Sequence, residues 1–173
     1  MDELIRRARR GDQEAFVTLM ERNKQSLWRV AMAVLHDPDD AADAMQDTVL
    51  EAWKNLPKLV KTEYFTTWLT RILLYNSYDI LRKRRREAPA QTLREEGAEQ
   101  RPDDTLDVQR TMAQLAENDR LILTLFYMND LPVRAIARVL AISEGAVRVR
   151  LTRARERFKR AYENGDDRKE RRA

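Results

Sequence analysis

An acidic segment that is poor in large apolar residues divides the chain in two, and it limits the fold more than any other feature. Residues 87–107 contain two prolines, one glycine, seven acids and two bases, and two leucines are their only large apolar residues. Such a composition cannot supply the apolar face of a core element. It predicts a flexible linker at 87–107 between domains at 1–86 and 108–163, followed by a polar, frayed tail at 164–173.

Both parts are predicted to be helical. The chain has 4 glycines among 173 residues, and arginine, glutamate, alanine and leucine are abundant, which favours helices over sheets with tight turns. Apolar residues recur at spacings of three and four in both parts. The predicted fold class is therefore all-α, with two small helical domains.

The apolar periodicity and the capping residues set the expected helix boundaries. In the N-terminal part, Gly11 ends the first helix and Asp12 caps the second. A turn at Asp37-Pro38 precedes a third helix, which is capped by one of the following aspartates and ends near Leu56. The remaining predicted helices are 64–85, 105–115, 119–128, 133–140 and 144–162.

The absence of cysteine and the presence of one histidine exclude several kinds of site. Disulfides, cysteine-ligated zinc and iron–sulfur clusters need thiols that the chain lacks. One histidine and the lack of a glycine-rich phosphate loop argue against the commonest catalytic machinery. We therefore expect no cofactor, no metal, no small-molecule substrate and no enzymatic activity. No segment has the apolar run of a secretory signal or a membrane span, so we expect a cytoplasmic protein.

Charge is unevenly distributed along the chain, although the formal net charge is only +4. Residues 36–53 hold six acids and no lysine or arginine, whereas Arg82–Arg86 is a run of five bases. Residues 144–160 carry seven bases and two acids. Two basic stretches separated by an acidic one predict two surfaces for a polyanion, although most single charge runs are merely solvated helix faces.

The last two predicted helices have the pattern of a helix-turn-helix. About three residues, Ala141 to Ser143, join them. Val147, Leu151, Ala154 and Phe158 form one inward stripe on the final helix, which leaves its arginines outside. A basic helix held by one apolar stripe can enter a major groove, where its N-terminal half contacts bases. The candidate base-contacting residues are Glu144, Arg148, Val149 and Thr152, and the candidate phosphate contacts are Arg153, Arg155 and Arg157. The alternative is an arginine-rich surface helix that pairs with acids elsewhere.

The segment at 64–86 combines five aromatic residues with the basic run that follows them. Bases stack on aromatic rings and phosphates pair with cations, so this pattern is typical of a single-stranded nucleic-acid surface. Core aromatics at helical spacing give the same pattern. Both interpretations stay open for Tyr64, Phe65 and Trp68.

Together these motifs resemble those of a bacterial extracytoplasmic-function RNA polymerase sigma factor over nearly the whole chain. Four segments in the expected order carry the resemblance: GDQEAFVTLMERN, DPDDAADAMQDTVLEAWKNL, YFTTWLTRI with YDILRKRRR, and LAENDRLILTLFYMNDLPVRAIARVLAISEGAVRVRLTRARERFK. The resemblance implies a domain for polymerase docking and minus-ten recognition with melting, then a linker and a minus-thirty-five domain. The function implied is promoter-directed transcription initiation with core RNA polymerase.

The resemblance also implies functional residues and partners. The implied polymerase-docking residues are Asp43, Gln46, Asp47, Leu50, Glu51 and Trp53. The implied minus-ten residues are Tyr64, Phe65, Thr67, Trp68, Tyr75, Asn76, Arg82, Lys83, Arg84 and Arg85. Family members usually carry asparagine at the position of Tyr75, so the chain departs from the pattern there. The implied partners are core RNA polymerase, promoter DNA and an anti-sigma protein, which often spans the membrane.

Two other functions fit parts of the pattern. A stand-alone helix-turn-helix regulator would bind DNA as a dimer, although the chain shows no heptad seam for dimerisation. An RNA-binding adaptor would use the aromatic and basic helix without polymerase.

Overall fold

The computed structural model describes residues 1–87 and 104–170, with side chains described for residues 1–86 and 107–165. Within these ranges the secondary structure is helical and contains no strand, as the all-α prediction requires. The α-helices are α1 (Asp2–Arg9), α2 (Gln13–Leu35), α3 (Pro38–Asn55), α4 (Phe65–Glu87), α5 (Asp104–Gln114), α6 (Glu117–Leu123), α7 (Val133–Leu140) and α8 (Glu144–Glu170). Short 3₁₀ turns at Leu56–Lys58 and Thr62–Tyr64 precede α4, and a π-helical turn at Thr124–Met128 follows α6. Most of the predicted linker, residues 88–103, lies outside the described residues.

Side-chain caps fix where α2 and α3 begin. Asp12 accepts a hydrogen bond from the Ala15 amide, and Gly11 before it has a φ of +93°, as the predicted break requires. The predicted cap of α3 is wrong by at least two residues, because Asp37 itself accepts from the amides of Asp39 and Asp40. Pro38 explains this position. Its fixed φ suits the first helical residue and keeps the residue before it extended.

Helices α2, α3 and α4 form the core of the N-terminal domain. Helix α3 buries a stripe of small residues, Ala41, Ala44, Thr48 and Ala52, so it can approach its two neighbours closely. The Thr48 hydroxyl donates to the Ala44 carbonyl at 2.6 Å, which satisfies the one polar group in that stripe.

The helix-turn-helix is formed by α7 and α8. Ala141 adopts a φ of +53° in the turn, and the Ser143 hydroxyl accepts from the Ala146 amide at 3.1 Å, as predicted for the cap of α8. Helix α8 continues to Glu170, well beyond the predicted end at residue 162. Gly165 lies inside this last part of the helix, at a cost of about 1 kcal/mol relative to alanine.

The two domains pack against each other, which the prediction of two parts joined by a flexible linker did not include. Helix α2 packs on α6 and the π-helical turn, while α4 packs on α7. The buried apolar residues of both domains belong to one continuous cluster. No helix of the described ranges is both long and apolar enough to cross a membrane.

Candidate nucleic-acid and polymerase interfaces

Helix α8 presents a basic surface because one apolar stripe anchors it. Val147, Leu151 and Ala154 are at most 3 % exposed and pack into the core of the C-terminal domain. The opposite faces carry the predicted DNA-contacting residues, all of which are exposed: Glu144, Arg148, Val149, Thr152, Arg153, Arg155 and Arg157. The apolar side chain of Val149 is 49 % exposed among these charges, so it is available for van der Waals contact with a base.

Arg148 is held loosely by its own helix. Its Nη2 lies 3.2 Å from Glu144 Oε2, one turn earlier, and both side chains are exposed. Such pairs contribute only about 0.3–0.5 kcal/mol, so Arg148 can exchange Glu144 for a DNA acceptor at little cost. This position fits a base contact.

Arg155 and Arg157 already have partners within the fold. The Arg155 guanidinium lies 5.5 Å from the ring centroids of both Phe126 and Tyr127. Arg157 Nη1 lies 2.5 Å from Asp119 Oδ2, and the Asp119 side chain is only 9 % exposed. Arg157, which was predicted to contact phosphate, thus also neutralises a largely buried carboxylate.

The aromatic residues at the start of α4 separate into core and partly accessible positions. Phe65 is 1 % exposed and packs against Trp68 with ring centroids 5.9 Å apart. Of the two interpretations left open for Phe65, the core one is correct, because no base can reach a ring at this depth. Trp68 and Thr67 are half-buried, and Trp68 lines a cavity of about 350 Å³ together with Glu51 and Lys58.

Tyr64 is covered from the other domain. It is half-buried, and the Arg138 guanidinium of α7 lies 4.2 Å from its ring centroid. Lys61 adds a second cation at 5.7 Å. Both cations interact with the Tyr64 ring, so a base that stacks where Arg138 lies must first displace it.

Tyr75 and Asn76, adjacent in sequence, occupy different environments. Tyr75 is 62 % exposed, with the Arg82 guanidinium 5.8 Å from its ring centroid. Asn76 Nδ2 instead donates to Thr48 Oγ1 at 3.2 Å and so ties α4 to α3. The accessible group is thus Tyr75, at the position where the family pattern has asparagine. The exposed Arg71, one turn before Tyr75, was missed, although an arginine four residues before an exposed aromatic is a usable signal.

The basic end of α4 is partly neutralised. Asp79 lies 3.1 Å from Arg82 and 2.9 Å from Lys83, and these hydrogen bonds lower the pKa of its carboxyl. Arg84 reaches Asp37 at 3.0 Å and Asp40 at 2.7 Å, so it joins α4 to the start of α3. Arg84 was predicted to contact DNA, and in the structure it also links two helices of the N-terminal domain. Arg85 is exposed at the same end.

Arg84 and the helix start also determine the protonation of Asp37. Hydrogen bonds from the backbone amides, chiefly that of Asp40, together with Arg84, lower the pKa of the Asp37 carboxyl. Burial raises the pKa of Asp40 despite the attraction of Arg84. The carboxylate that caps α3 is therefore the more strongly ionised of the two.

One face of α3 is acidic with an apolar centre. Asp43, Gln46 and Asp47 are exposed, and Leu50 beside them is 60 % exposed. Glu51 is half-exposed at the margin. Trp53 points inward and packs on Phe16 with ring centroids 4.9 Å apart, so it supports this face from behind. An exposed leucine within a rim of carboxylates fits a protein partner with a basic, partly apolar surface.

Family models match both domains. Residues 19–87 match the model described as "Sigma-70 region 2", and residues 105–158 match "Sigma-70, region 4". Region 2 thus covers α3, α4 and most of α2, and region 4 covers the C-terminal domain as far as Phe158 of α8.

Similar proteins span nearly the same length. The RNA polymerase sigma factor NccH of Alcaligenes xylosoxydans is 31 % identical over 170 residues, covering 90 % of each chain. The RNA polymerase sigma-H factor of Pseudomonas aeruginosa is 28 % identical, covering 93 % of each chain. Among solved structures, CnrH in complex with the cytosolic domain of CnrY has a TM-score of 0.73 at 26 % identity, covering 94 % of this chain and 97 % of that one.

Proposed function

Because the chain belongs to the sigma-70 family of RNA polymerase sigma factors, in its extracytoplasmic-function group, we propose how its surfaces divide the work of transcription initiation. Helix α3 docks on core RNA polymerase, α4 recognises and opens the minus-ten element, and α8 reads the minus-thirty-five element. The chain itself performs no catalysis, since polymerase makes the RNA. We place it in the cytoplasm with that polymerase.

The geometry of α8 is the observation that carries this proposal. Val147, Leu151 and Ala154 fix the rotation of the helix, so that Arg148, Val149 and Thr152 face outward together near its N-terminus. Recognition helices contact base edges with this part of the helix. Arg148 is bound only to an exposed glutamate, and its forked guanidinium suits the O6 and N7 atoms of guanine.

The accessible groups of α4 support strand opening and strand capture. Tyr75, Arg71 and Arg85 are exposed along one helix, so an unpaired base and its phosphates can meet a ring and cations in sequence. Trp68 contributes to strand opening through the cavity that its side chain lines. Phe65 acts only by supporting this helix from the core.

The exposed face of α3 supports docking on polymerase. Asp43, Asp47 and Leu50 combine charge with an apolar anchor, which provides both fast association and a buried contact. The similar protein CnrH is described in complex with the cytosolic domain of CnrY. We extend this to the present chain and infer that an anti-sigma protein, anchored in the membrane, holds it inactive.

Run-off transcription tests the proposal. Core RNA polymerase is incubated with genomic DNA fragments, with and without the full chain, and transcripts that depend on the chain are expected. On those promoters Arg148→Ala should cost roughly 1–3 kcal/mol of binding and relax preference at one or two upstream positions. Arg22→Ala, an exposed arginine of α2, is the matched control and should leave transcription unchanged.

The outcomes separate the candidate functions. If no fragment yields a transcript that depends on the chain, the proposal is wrong. Operator binding by the chain alone would then favour a stand-alone regulator, and binding to RNA alone would favour an adaptor.

A further inference from the structure

We propose that a cavity between α4, α6, α7 and α8 binds a small aromatic anion, that is, a planar ring that bears a phosphate or a carboxylate group. The cavity has a volume of about 300 Å³, at the lower end of the range for small-molecule sites. Its occupant shares Arg71 and Tyr75 with the proposed minus-ten surface and so competes with the promoter strand. The site follows from the cavity alone, whereas the competition rests on the proposed function.

Two arginines from different domains line this cavity. Arg71 comes from α4 and Arg150 from α8, and both are exposed. Neither guanidinium has an ion-pair partner among the described residues, and no carboxylate is among the described side chains of the lining. Two cations at one cavity repel each other, and an anion between them removes this repulsion. The planar fork of each guanidinium matches a phosphate or a carboxylate group.

Arg150 has no part in the proposed reading of the promoter. Among the arginines of residues 144–157 it is the one that is not a predicted DNA contact. It lies about 200° around α8 from Arg148, because successive helical residues are about 100° apart. The cavity that it lines is shared with α4. Arg150 is therefore available for an anion other than minus-thirty-five DNA.

The other walls of the cavity can hold a ring. Leu74, Leu121 and Val139 are at most 7 % exposed and supply an apolar surface. Tyr75 also lines the cavity, and its ring is accessible for stacking against another planar group. An apolar wall, an accessible ring and two cations together select an aromatic anion over a bare inorganic ion.

The remaining polar side chains of the lining add no negative charge. Tyr78 of α4 donates to the Glu117 carboxylate of α6, and burial together with this carboxylate raises the pKa of Tyr78 to about 12. The Tyr78 hydroxyl therefore stays protonated at neutral pH and does not repel an anion. Asn118 contributes an exposed amide, which can both donate to and accept from substituents of the ring.

Contacts between helices hold the walls of the cavity in place. Arg120 of α6 is 6 % exposed, and its Nε donates to the Ala33 carbonyl of α2 at 2.7 Å. Arg138 of α7 lies over the Tyr64 ring at 4.2 Å, next to the start of α4. A cavity whose walls are already fixed loses little conformational entropy when a ligand enters.

The promoter strand and the ligand need the same two groups of α4. An unpaired base stacks on the Tyr75 ring and its phosphate pairs with Arg71, which are the contacts that the ligand makes in the cavity. Arg150 differs, because it lines the cavity but is not part of the minus-ten surface. Substitution of Arg150 therefore separates ligand binding from strand capture.

Isothermal titration calorimetry with the full chain tests the site. The probes are adenosine 5′-monophosphate and benzoate, and their neutral counterparts are adenosine and benzamide. At least one of the two anions should bind, with an affinity about tenfold or more above that of its neutral counterpart, and the tighter anion identifies the group that the arginines hold. Arg150→Ala should weaken this binding about tenfold. Arg160→Ala, an exposed arginine of α8 outside the cavity, is the matched control and should leave it unchanged.

Anisotropy of a labelled single strand that spans the minus-ten element of a responsive promoter measures the competition. The bound probe should raise the apparent Kd of this strand several-fold for the wild-type chain and not for Arg150→Ala. Failure of both anions to bind, or equal losses in Arg150→Ala and Arg160→Ala, would overturn the site. Binding of a probe without competition would overturn the shared use of Arg71 and Tyr75. If the strand does not bind even without a probe, the proposed strand capture is wrong, and calorimetry still decides the site.

Discussion

Replacing Arg157 by alanine distinguishes a structural arginine from one that holds DNA. The substitution leaves Asp119 buried without its cation, since Arg157 Nη1 lies 2.5 Å from Asp119 Oδ2. Breaking a fully buried pair costs about 3–5 kcal/mol, and breaking an exposed pair costs about 0–1 kcal/mol. Here one side chain is 9 % exposed and the other 57 %, so we expect a loss of about 2 kcal/mol in the free energy of unfolding.

Thermal unfolding followed by circular dichroism at 222 nm measures this loss. For a chain of this length about 2 kcal/mol corresponds to a fall in Tm of about 4–8 °C. Arg153→Ala is the matched control, because it makes the same change at an exposed position of the same helix and should stay within about 0.5 kcal/mol of wild type.

A double-mutant cycle separates the pair from general effects on the helix. In an Asp119→Asn background position 119 carries no charge that needs a cation, so the further change Arg157→Ala should cost less than about 1 kcal/mol. The opposite result would refute the reasoning. If Arg157→Ala is as stable as Arg153→Ala but weakens binding to all DNA sequences and lowers the salt slope by about one, Arg157 holds phosphate instead.

Three further predictions concern the other surfaces. Phe65→Ala should lose about 3–5 kcal/mol of stability and impair duplex and pre-melted templates equally, whereas Tyr75→Ala should keep its stability and be rescued by a pre-melted bubble. Charge reversal at Asp43 and Asp47 should weaken core-polymerase binding in a titration while leaving helicity unchanged. Because folding lowers the pKa of Asp37, this carboxylate contributes to the free energy of unfolding at every pH above its unfolded pKa, near 3.9. The contribution is lost as the pH falls through the pKa of the folded state. Asp37→Asn, which can still cap α3, should therefore flatten the loss of stability below about pH 4 in acid unfolding.

Much of the architecture follows from local sequence. Helix α7 begins and ends at the predicted residues, and the caps Asp12 and Ser143 act as predicted. These features depend on neighbours within a few residues, where periodicity and capping chemistry are sufficient. The same kind of reasoning assigned the cap of α3 to the wrong aspartate, because several aspartates near Pro38 can cap a helix. Only the backbone geometry that Pro38 imposes selects Asp37.

The partners of long side chains could not be predicted in this way. Arg157 and Asp119 are 38 residues apart, and Arg84 and Asp37 are 47 apart. Their pairing depends on how helices cross, which a one-dimensional pattern does not contain. Phe65 shows the same limit, since a stacking aromatic and a core aromatic occur at the same helical spacing. The packing of one domain on the other also left no local signal, because its principal acceptors are backbone carbonyls.

A basic surface therefore contains more arginines than are free to bind DNA. Along α8, Arg148 is held only by an exposed glutamate, whereas Arg155 lies against two rings and Arg157 neutralises a buried carboxylate. A contact to phosphate or base must exceed the energy of the partner it displaces, which is a few tenths of a kcal/mol for Arg148 and several times more for Arg157. The same comparison applies to Tyr64, where a base can stack in the place of Arg138 only after that guanidinium leaves. The order in which groups become available to DNA thus depends on what each already contacts.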